Sequence, residues 1–225
     1  MICIPINHVA HLLIPTYRSA GVIAAYRGED MEFDSPSIQA DDEGSYYLNF
    51  NDGGNLSSTA PSSLTLLSDF AFTVEEGTPH LCGWHDSAGD WGISHEISGT
   101  DDIVTWLRHN GKKDGIHTGY IPEAGTRHRV ATSIGSESGV IRTSIGGLLI
   151  TEEERDPVYL QEIIAELANF HVGKLGEFSP LSGTVRLYAV AGIAQALSKQ
   201  ALANATEGGF NQVLTSDEEE VLFTG

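Results

Sequence analysis

The chain reads as a mostly β protein: an antiparallel β-sandwich that carries one amphipathic helix as an insertion. Three observations predict this. Apolar and polar residues alternate through residues 126–134 and 140–149, on either side of the turn-forming Gly135-Ser136-Glu137-Ser138-Gly139. Period-two alternation around a glycine-rich break marks a hairpin of half-buried strands. Short runs of β-favouring residues recur along the chain at about the 8–12-residue spacing of a sandwich, each closed by Gly, Asp or Ser. Between residues 157 and 168 the apolar period changes to that of a helix.

Taken in order, Gly21 to Tyr26 reads as an opening strand, and the acidic, turn-rich stretch 29–45 as a loop or exposed ribbon. Tyr46 to Phe50 is a compact strand that ends in the turn cluster Asn51-Asp52-Gly53-Gly54-Asn55. Ser63 to Leu66 reads as a short edge strand and Asp69 to Val74 as another. His80–Trp84, Trp91–Ile97 and Ile103–Arg108 follow as three more. In the central hairpin His128, Val130, Thr132 and Ile134 share one face, and Arg127, Arg129, Ala131 and Ser133 the other. Gly146-Gly147 makes a second tight turn, because glycine takes positive φ without steric cost, and a third strand completes a meander. Asp156 is placed to cap a helix with Pro157 in its first turn. Leu160, Ile163, Ile164 and Leu167 then line one face. Phe170–Gly173 and Thr184–Val190 return to strand, and Ser198 caps a short final helix through Ala203. The reading is one domain over 1–206 with a helical insertion at about 156–169, then a C-terminal arm over 207–225. The arm holds two apolar pieces, Gln212-Val213-Leu214 and Val221-Leu222-Phe223, around Asp217-Glu218-Glu219-Glu220.

A chain of 225 residues is long enough to bury roughly 70% of its unfolded surface without staples. Cys3 and Cys82 permit at most one disulfide, and the expectation is two buried thiols. Acidic residues number 31 against 12 basic ones, a formal net charge of −19. That balance excludes nucleic acid and anionic membrane as partners, since both demand basic patches. Lysine is confined to Lys112, Lys113, Lys174 and Lys199, and an acidic, lysine-poor surface suits either an ordinary acidic protein or one working in high salt. Met1 to Pro15 has no basic n-region, and Pro5 and Pro15 interrupt its apolar run, so no targeting or spanning segment is expected.

Four blocks in order resemble the laminin-G-like, concanavalin A-like family of jelly rolls. Leu48-Asn49-Phe50-Asn51-Asp52-Gly53 resembles its strand and turn "LxFDG", with Asn51 where aspartate is usual. Ser68-Asp69-Phe70-Ala71-Phe72-Thr73 resembles the strand that follows. In the central hairpin Gly125, His128, Val130, Ala131, Gly139, Gly147 and Leu149 keep the family pattern, while Arg127 replaces tryptophan. Leu181 to Tyr188 and Ala196-Leu197-Ser198 resemble the closing block. The resemblance implies two antiparallel sheets packed face to face. It implies function loosely, because one fold hosts many activities. Members of this family bind glycans or proteins through rim loops, some with calcium, and acidic members are similar to appendage or decoration proteins of tailed viruses.

The residues offer little catalytic chemistry. Glycosidases need two carboxylates flanking the scissile bond, and the strand Trp91–Ile97 offers only Glu96. Glu152–Glu154 and Glu218–Glu220 are consecutive and therefore splayed. Ser136-Glu137-Ser138 has glutamate where a nucleophile elbow has serine, and His85-Asp86-Ser87 are neighbours that cannot form a relay. The nine histidines are scattered, and the nearest pairs, His8/His11 and His80/His85, lack a third ligand. Calcium has candidate oxygens at Asn51, Asp52, Asn55 and Asp69, which turn chemistry alone also explains. Trp84, His85, Asp86, Asp90, His109 and Tyr120 are the candidate glycan residues, since sugar rings stack on exposed aromatics while Asp and Asn take hydroxyls. Trp91 and Trp106 sit in strand-like runs and are assigned to the core. The expectation is a non-enzymatic structural or binding component of a viral particle, self-associating or bound to other structural chains, with surface glycan as a further partner. The alternatives are a free-standing lectin and, third, a hydrolase of the same fold. The apolar pieces of the arm are candidates to add a strand to a neighbour's sheet.

Overall fold

The computed structural model describes residues 2–5, 9–14, 24–25, 32–33, 38–40, 46–49, 54–72, 80–98, 101–173, 185–207, 211–214 and 220–224, with side chains within 57–71, 80–98, 101–173 and 185–207. In chain order the elements are β1 (Ile2–Pro5), β2 (Val9–Ile14), β3 (Ala24–Ala25), β4 (Glu32–Phe33), β5 (Ile38–Ala40), β6 (Tyr46–Asn49) and β7 (Gly54–Ser57). Next come β8 (Leu64–Phe72), β9 (His80–His85), β10 (Gly92–Ile97), β11 (Ile103–His109), β12 (Lys112–His117), β13 (Arg127–Gly135), β14 (Val140–Ile145) and β15 (Leu148–Glu154). The chain closes with α1 (Pro157–Glu166), β16 (Asn169–Val172), β17 (Val185–Ile193), α2 (Lys199–Glu207), β18 (Asn211–Leu214) and β19 (Glu220–Thr224).

Among the described residues the strands make three antiparallel sheets. A seven-stranded sheet runs β12-β11-β10-β9-β16-β7-β4, and a nine-stranded sheet runs β15-β14-β13-β8-β17-β2-β3, with β6 also on β17 and β5 on β6. The two large sheets form the sandwich. The predicted meander is β13-β14-β15, and its second turn holds Gly146 and Gly147 at φ 55 and 86, as a two-residue hairpin turn demands. The two pieces read as separate strands at 63–66 and 69–74 are one strand, β8, in the middle of the nine-stranded sheet. Ser68 and Asp69, at the join between the two pieces, are fully buried there. β12 was not expected, because Lys112-Lys113-Asp114-Gly115 shows no apolar alternation. α2 runs past Ala203 to Glu207.

The core lies between the large sheets. Trp84 packs on Phe170 at 4.7 Å between ring centroids, and a Cβ on Gly192 of β17 would fall 2.4 Å from the Trp84 ring. Phe70, Leu64, Leu66, Ile93, Ile134 and Leu187 fill the same layer. Hydroxyls cross it in pairs: Thr105 Oγ1 lies 3.0 Å from Thr132 Oγ1, which lies 2.9 Å from Thr143 Oγ1. Cys82 is a free, buried thiol whose pKa burial pushes up to about 12, against the opposing hydrogen bond with Ser68. α1 keeps its predicted cap, with Asp156 Oδ1 accepting from Val158 N at 2.9 Å, and it buries Leu160, Ile163 and Ile164.

The two apolar pieces of the C-terminal arm are β18 and β19. They pair with each other and, through β19, with β1 of the same chain. No helix among the described residues is long and apolar enough to cross a membrane.

Candidate functional site

Two turns at one end of the seven-stranded sheet build an aromatic patch on the rim. In the β9–β10 turn, Asp86 accepts from Ala88 N at 3.2 Å and from Trp91 N at 3.1 Å. This is the local side-chain turn that aspartate favours. In the β11–β12 turn, Asn110 and Gly111 take φ of 49 and 74, and Gly111 N donates to Asp90 O at 2.9 Å. The two turns are thus tied together. Trp91 meets His109 edge to face at 4.6 Å, and His109 lies 5.0 Å from the Tyr159 ring of α1. His109 Nε2 is 2.9 Å from Glu162 Oε2. Trp91, His109 and Tyr159 are half-buried, while Asp90, Asn110 and Glu162 are exposed. Half-open aromatic faces ringed by carboxylates and an amide are the chemistry that a sugar ring and its hydroxyls require.

The predicted glycan residues divide around this patch. Asp86, Asp90 and His109 belong to it. Trp84 does not: it is fully buried between the sheets and presents no face to a ligand. Strand alternation settles the reversal, since Trp84 pairs with inward-facing Ile93 and Phe170. Tyr120 is also elsewhere. Its carbonyl accepts from Ile103 N at 3.0 Å, and its hydroxyl lies 3.1 Å from His128 Nδ1. That places it at the far end of β11 from His109, roughly 20 Å away at strand rise. Trp91 and Trp106, expected in the core, are both half-buried. Trp106 carries Lys113 Nζ 5.1 Å over its ring and His117 edge-on at 5.6 Å.

Of the four calcium candidates, Asp69 and Asn55 lie among the described residues, and on different sheets. Asp69 lies on β8, fully buried, and is held by Arg127 at 2.6 and 2.7 Å and by Arg129 at 3.2 Å. Asn55 lies in β7 of the other sheet, and Asn51 and Asp52 fall outside the described residues. Two guanidiniums already satisfy the Asp69 charge.

His85 belongs to a second grouping, one that sequence spacing could not reveal. Ile93, His95 and Ile97 of β10 point inward, and His95 reaches Ser68 of β8 at 3.3 Å, so alternation turns Ser94 and Glu96 to the other face. Register places His80 beside Glu96, and His171 of β16 beside Gly83, on that same face. Glu96 Oε1 lies 2.8 Å from His80 Nδ1, 2.7 Å from Ser94 Oγ and 3.1 Å from Arg108 Nη2. Burial pushes the Glu96 carboxyl up, but contact with His80, the Ser94 hydroxyl and Arg108 outweighs it and leaves it below its ordinary value. The His171 ring meets His85 at 5.1 Å and His80 at 6.1 Å. His85 Nδ1 is hydrogen-bonded to Asp86 O. Despite three imidazoles, no group of three or more His, Cys, Asp or Glu among the described residues is placed to hold a metal ion.

A third polar grouping has serine, histidine and aspartate, but in the wrong order for a relay. Buried Asp102 accepts from Ser98 Oγ at 2.5 Å and from Gly119 N at 3.1 Å, and lies 3.0 Å from His117 Nδ1. Nucleophilic catalysis needs histidine between serine and aspartate; here the aspartate is central.

No family model matches the chain, and no curated protein matches it. Solved structures do. A botulinum neurotoxin type C structure, from work on cell entry through two ganglioside molecules, superposes with a TM-score of 0.63 at 10% identity, over 90% of this chain and 52% of that one. The botulinum neurotoxin serotype D binding domain gives 0.63 at 9%, over 88% and 51%. The binding domain of botulinum neurotoxin DC in complex with SialylT gives 0.64 at 9%, over 88% and 50%. The chain thus spans about half the length of these neighbours, and at such identities the likeness establishes the antiparallel β-sandwich fold alone.

Proposed function

We propose that the protein is a carbohydrate-binding β-sandwich that acts by recognition rather than catalysis, through the rim patch of Trp91, His109 and Tyr159 with Asp90, Asn110 and Glu162. The observation that carries this reading is the half-exposed aromatic cluster held between two interlocked turns and α1. The neighbours support it from outside, since they are described by the ganglioside and SialylT they engage. The test is glycan-array binding followed by calorimetry on the best ligand. Trp91→Ala and Tyr159→Ala are expected to weaken binding about five- to tenfold each, the worth of one stacking contact of about 1–1.5 kcal/mol. Trp106→Ala, on the sheet face, is expected to bind as the parent does. A chain that binds no glycan, or rim variants that bind unchanged, would defeat the proposal.

A second reading, as a structural component of a viral particle working in saline surroundings, draws on the net charge of −19 and on β15. That strand is the last in the nine-stranded sheet, with Leu148 67% and Leu149 37% exposed. A strand that forms the edge of its sheet among the described residues and carries leucines is a place for a second chain to pair. Solution mass by light scattering at low and molar salt tests it: self-association lost in the double variant Leu148→Lys, Leu149→Lys supports assembly, and a monomer at both salts removes it. Truncation at Glu207 is the poorer probe, because it also strips β1 of β19.

A further inference from the structure

We propose that His171 makes the β9–β16 seam of the seven-stranded sheet an acid-responsive joint, closed at neutral pH and opened by protonation. This goes beyond glycan recognition and does not depend on it. β16 is the bridge of its sheet, paired with β9 on one side and β7 on the other. His171 sits at the middle of that bridge, fully buried, with neither ring nitrogen hydrogen-bonded. The groups that face it are His80 and His85 of β9 and Arg108 of β11. Arg108 Nε is itself buried without a partner. Glu96 of β10, a carboxylate on this face, is already engaged by His80, Ser94 and Arg108. Asp86 acts on His85, and Lys113 of β12 senses Glu96 and Arg108. From the other side β7 pairs Asn55 with His171, and β4 pairs Glu32 with Asn55.

A proton on His171 therefore enters a fully buried site beside a guanidinium and two more imidazoles, where neither ring nitrogen has a hydrogen-bond partner among the described residues. Burial, then His85, His80 and Arg108, hold the imidazole well below its ordinary value. The same sign holds for His85, where burial outweighs its bond to the Asp86 carbonyl. A depressed histidine costs nothing above the free value of about 6.5, and its penalty grows as pH falls below it. Water reaches the ring once β16 lifts from β9. The lift releases Gly173 N from Leu81 O and Ala168 N from His85 O, both bonds closing the seam at 3.0 and 3.1 Å. α1 runs directly into this strand, so the opening slackens the helix that carries Tyr159.

Hydrogen–deuterium exchange on the full chain at pH 7.5 and 5.0, corrected for intrinsic rates, tests the joint. Amides of 168–173 are expected to lose at least about tenfold protection at pH 5.0, about one decade for each pH unit below the free value of about 6.5. His171→Phe, neutral and of similar size, is expected to abolish the difference. Protection independent of pH in the parent chain, or an equal loss in His171→Phe, overturns the proposal. Should that variant not fold, the imidazole resonance of His171 in the parent chain decides. Titration at or above about 6.5 with the seam still protected also overturns it.

Discussion

Asp69 shows how one buried carboxylate organises the outer face of the nine-stranded sheet. It is fully buried, yet Arg127 meets it through two nitrogens and Arg129 through a third, and Arg127 also lies 4.2 Å over the Tyr188 ring. Bidentate guanidinium–carboxylate geometry is the strong form of this contact. Both arginines are partly open to solvent, 37% and 25% at the side chain, so water recovers some of their charge when the acid is removed. Asp69→Ala is expected to cost about 2 kcal/mol, within the range for stranding polar partners. Chemical denaturation measures it, and Arg127→Met in the same background should cost less than it does alone. Trp84 makes the complementary case. Gly192→Ala would drive a methyl into the Trp84 and Phe170 rings, at 2.4 and 3.1 Å, and should cost about 1–3 kcal/mol as overpacking does; a urea midpoint equal to the parent's would refute the contact. Neither role was legible in the sequence. Alternation says that Trp84 and His85 point opposite ways, but not which of them faces the core.

Elements were far more legible than sites. The β13–β14–β15 meander and α1 fall where period and punctuation put them, because those signals are local: Gly146-Gly147 turns, and Asp156 caps before Pro157. Asp156→Ala is expected to cost about 1 kcal/mol, read as a lower thermal midpoint with unchanged ligand binding. What the sequence hid is what neighbours decide. β12 holds its place as an edge by pairing with β11 rather than by a pattern of its own. β8 reads as two strands, 63–66 and 69–74, with Leu67-Ser68 left between them and two polar residues, Ser68 and Asp69, at the join. Those two are satisfied across space, Ser68 Oγ by Cys82 Sγ at 3.1 Å and Asp69 by its arginines. The histidine grouping draws on residues 80, 85 and 171, which only the pairing of β16 with β9 brings together. The rim patch needs α1 to lend Tyr159 and Glu162 to turns some fifty residues earlier in the chain, the span of the His109–Glu162 contact.

At the scale of the whole molecule, acid should act twice, locally at the β9–β16 seam and globally between the sheets. The global group is His95, fully buried on β10 with its ring against Ser68 of the opposite sheet. Burial lowers its pKa to about 3. In the unfolded chain the same imidazole titrates near 6.5, so the unfolded state binds the proton first. Above about 6.5 both states are neutral and His95 contributes no pH dependence. Between there and about 3, stability falls by up to about 1.4 kcal/mol per pH unit for one such group, and below that range the loss levels off. His95→Leu removes the titration while keeping an apolar side chain of similar size in the layer. Urea midpoints at pH 7.5, 6.0, 5.0 and 4.0 should therefore converge less steeply in the variant than in the parent, by close to that slope. Parallel curves would mean that His95 takes its proton without parting the sheets. The pair of histidines is separable by variant: His95→Leu flattens the pH dependence of the global midpoint, whereas His171→Phe flattens that of exchange at 168–173. A seven-stranded sheet that buries an imidazole on each face, His95 toward the core and His171 away from it, is thus held shut by neutrality.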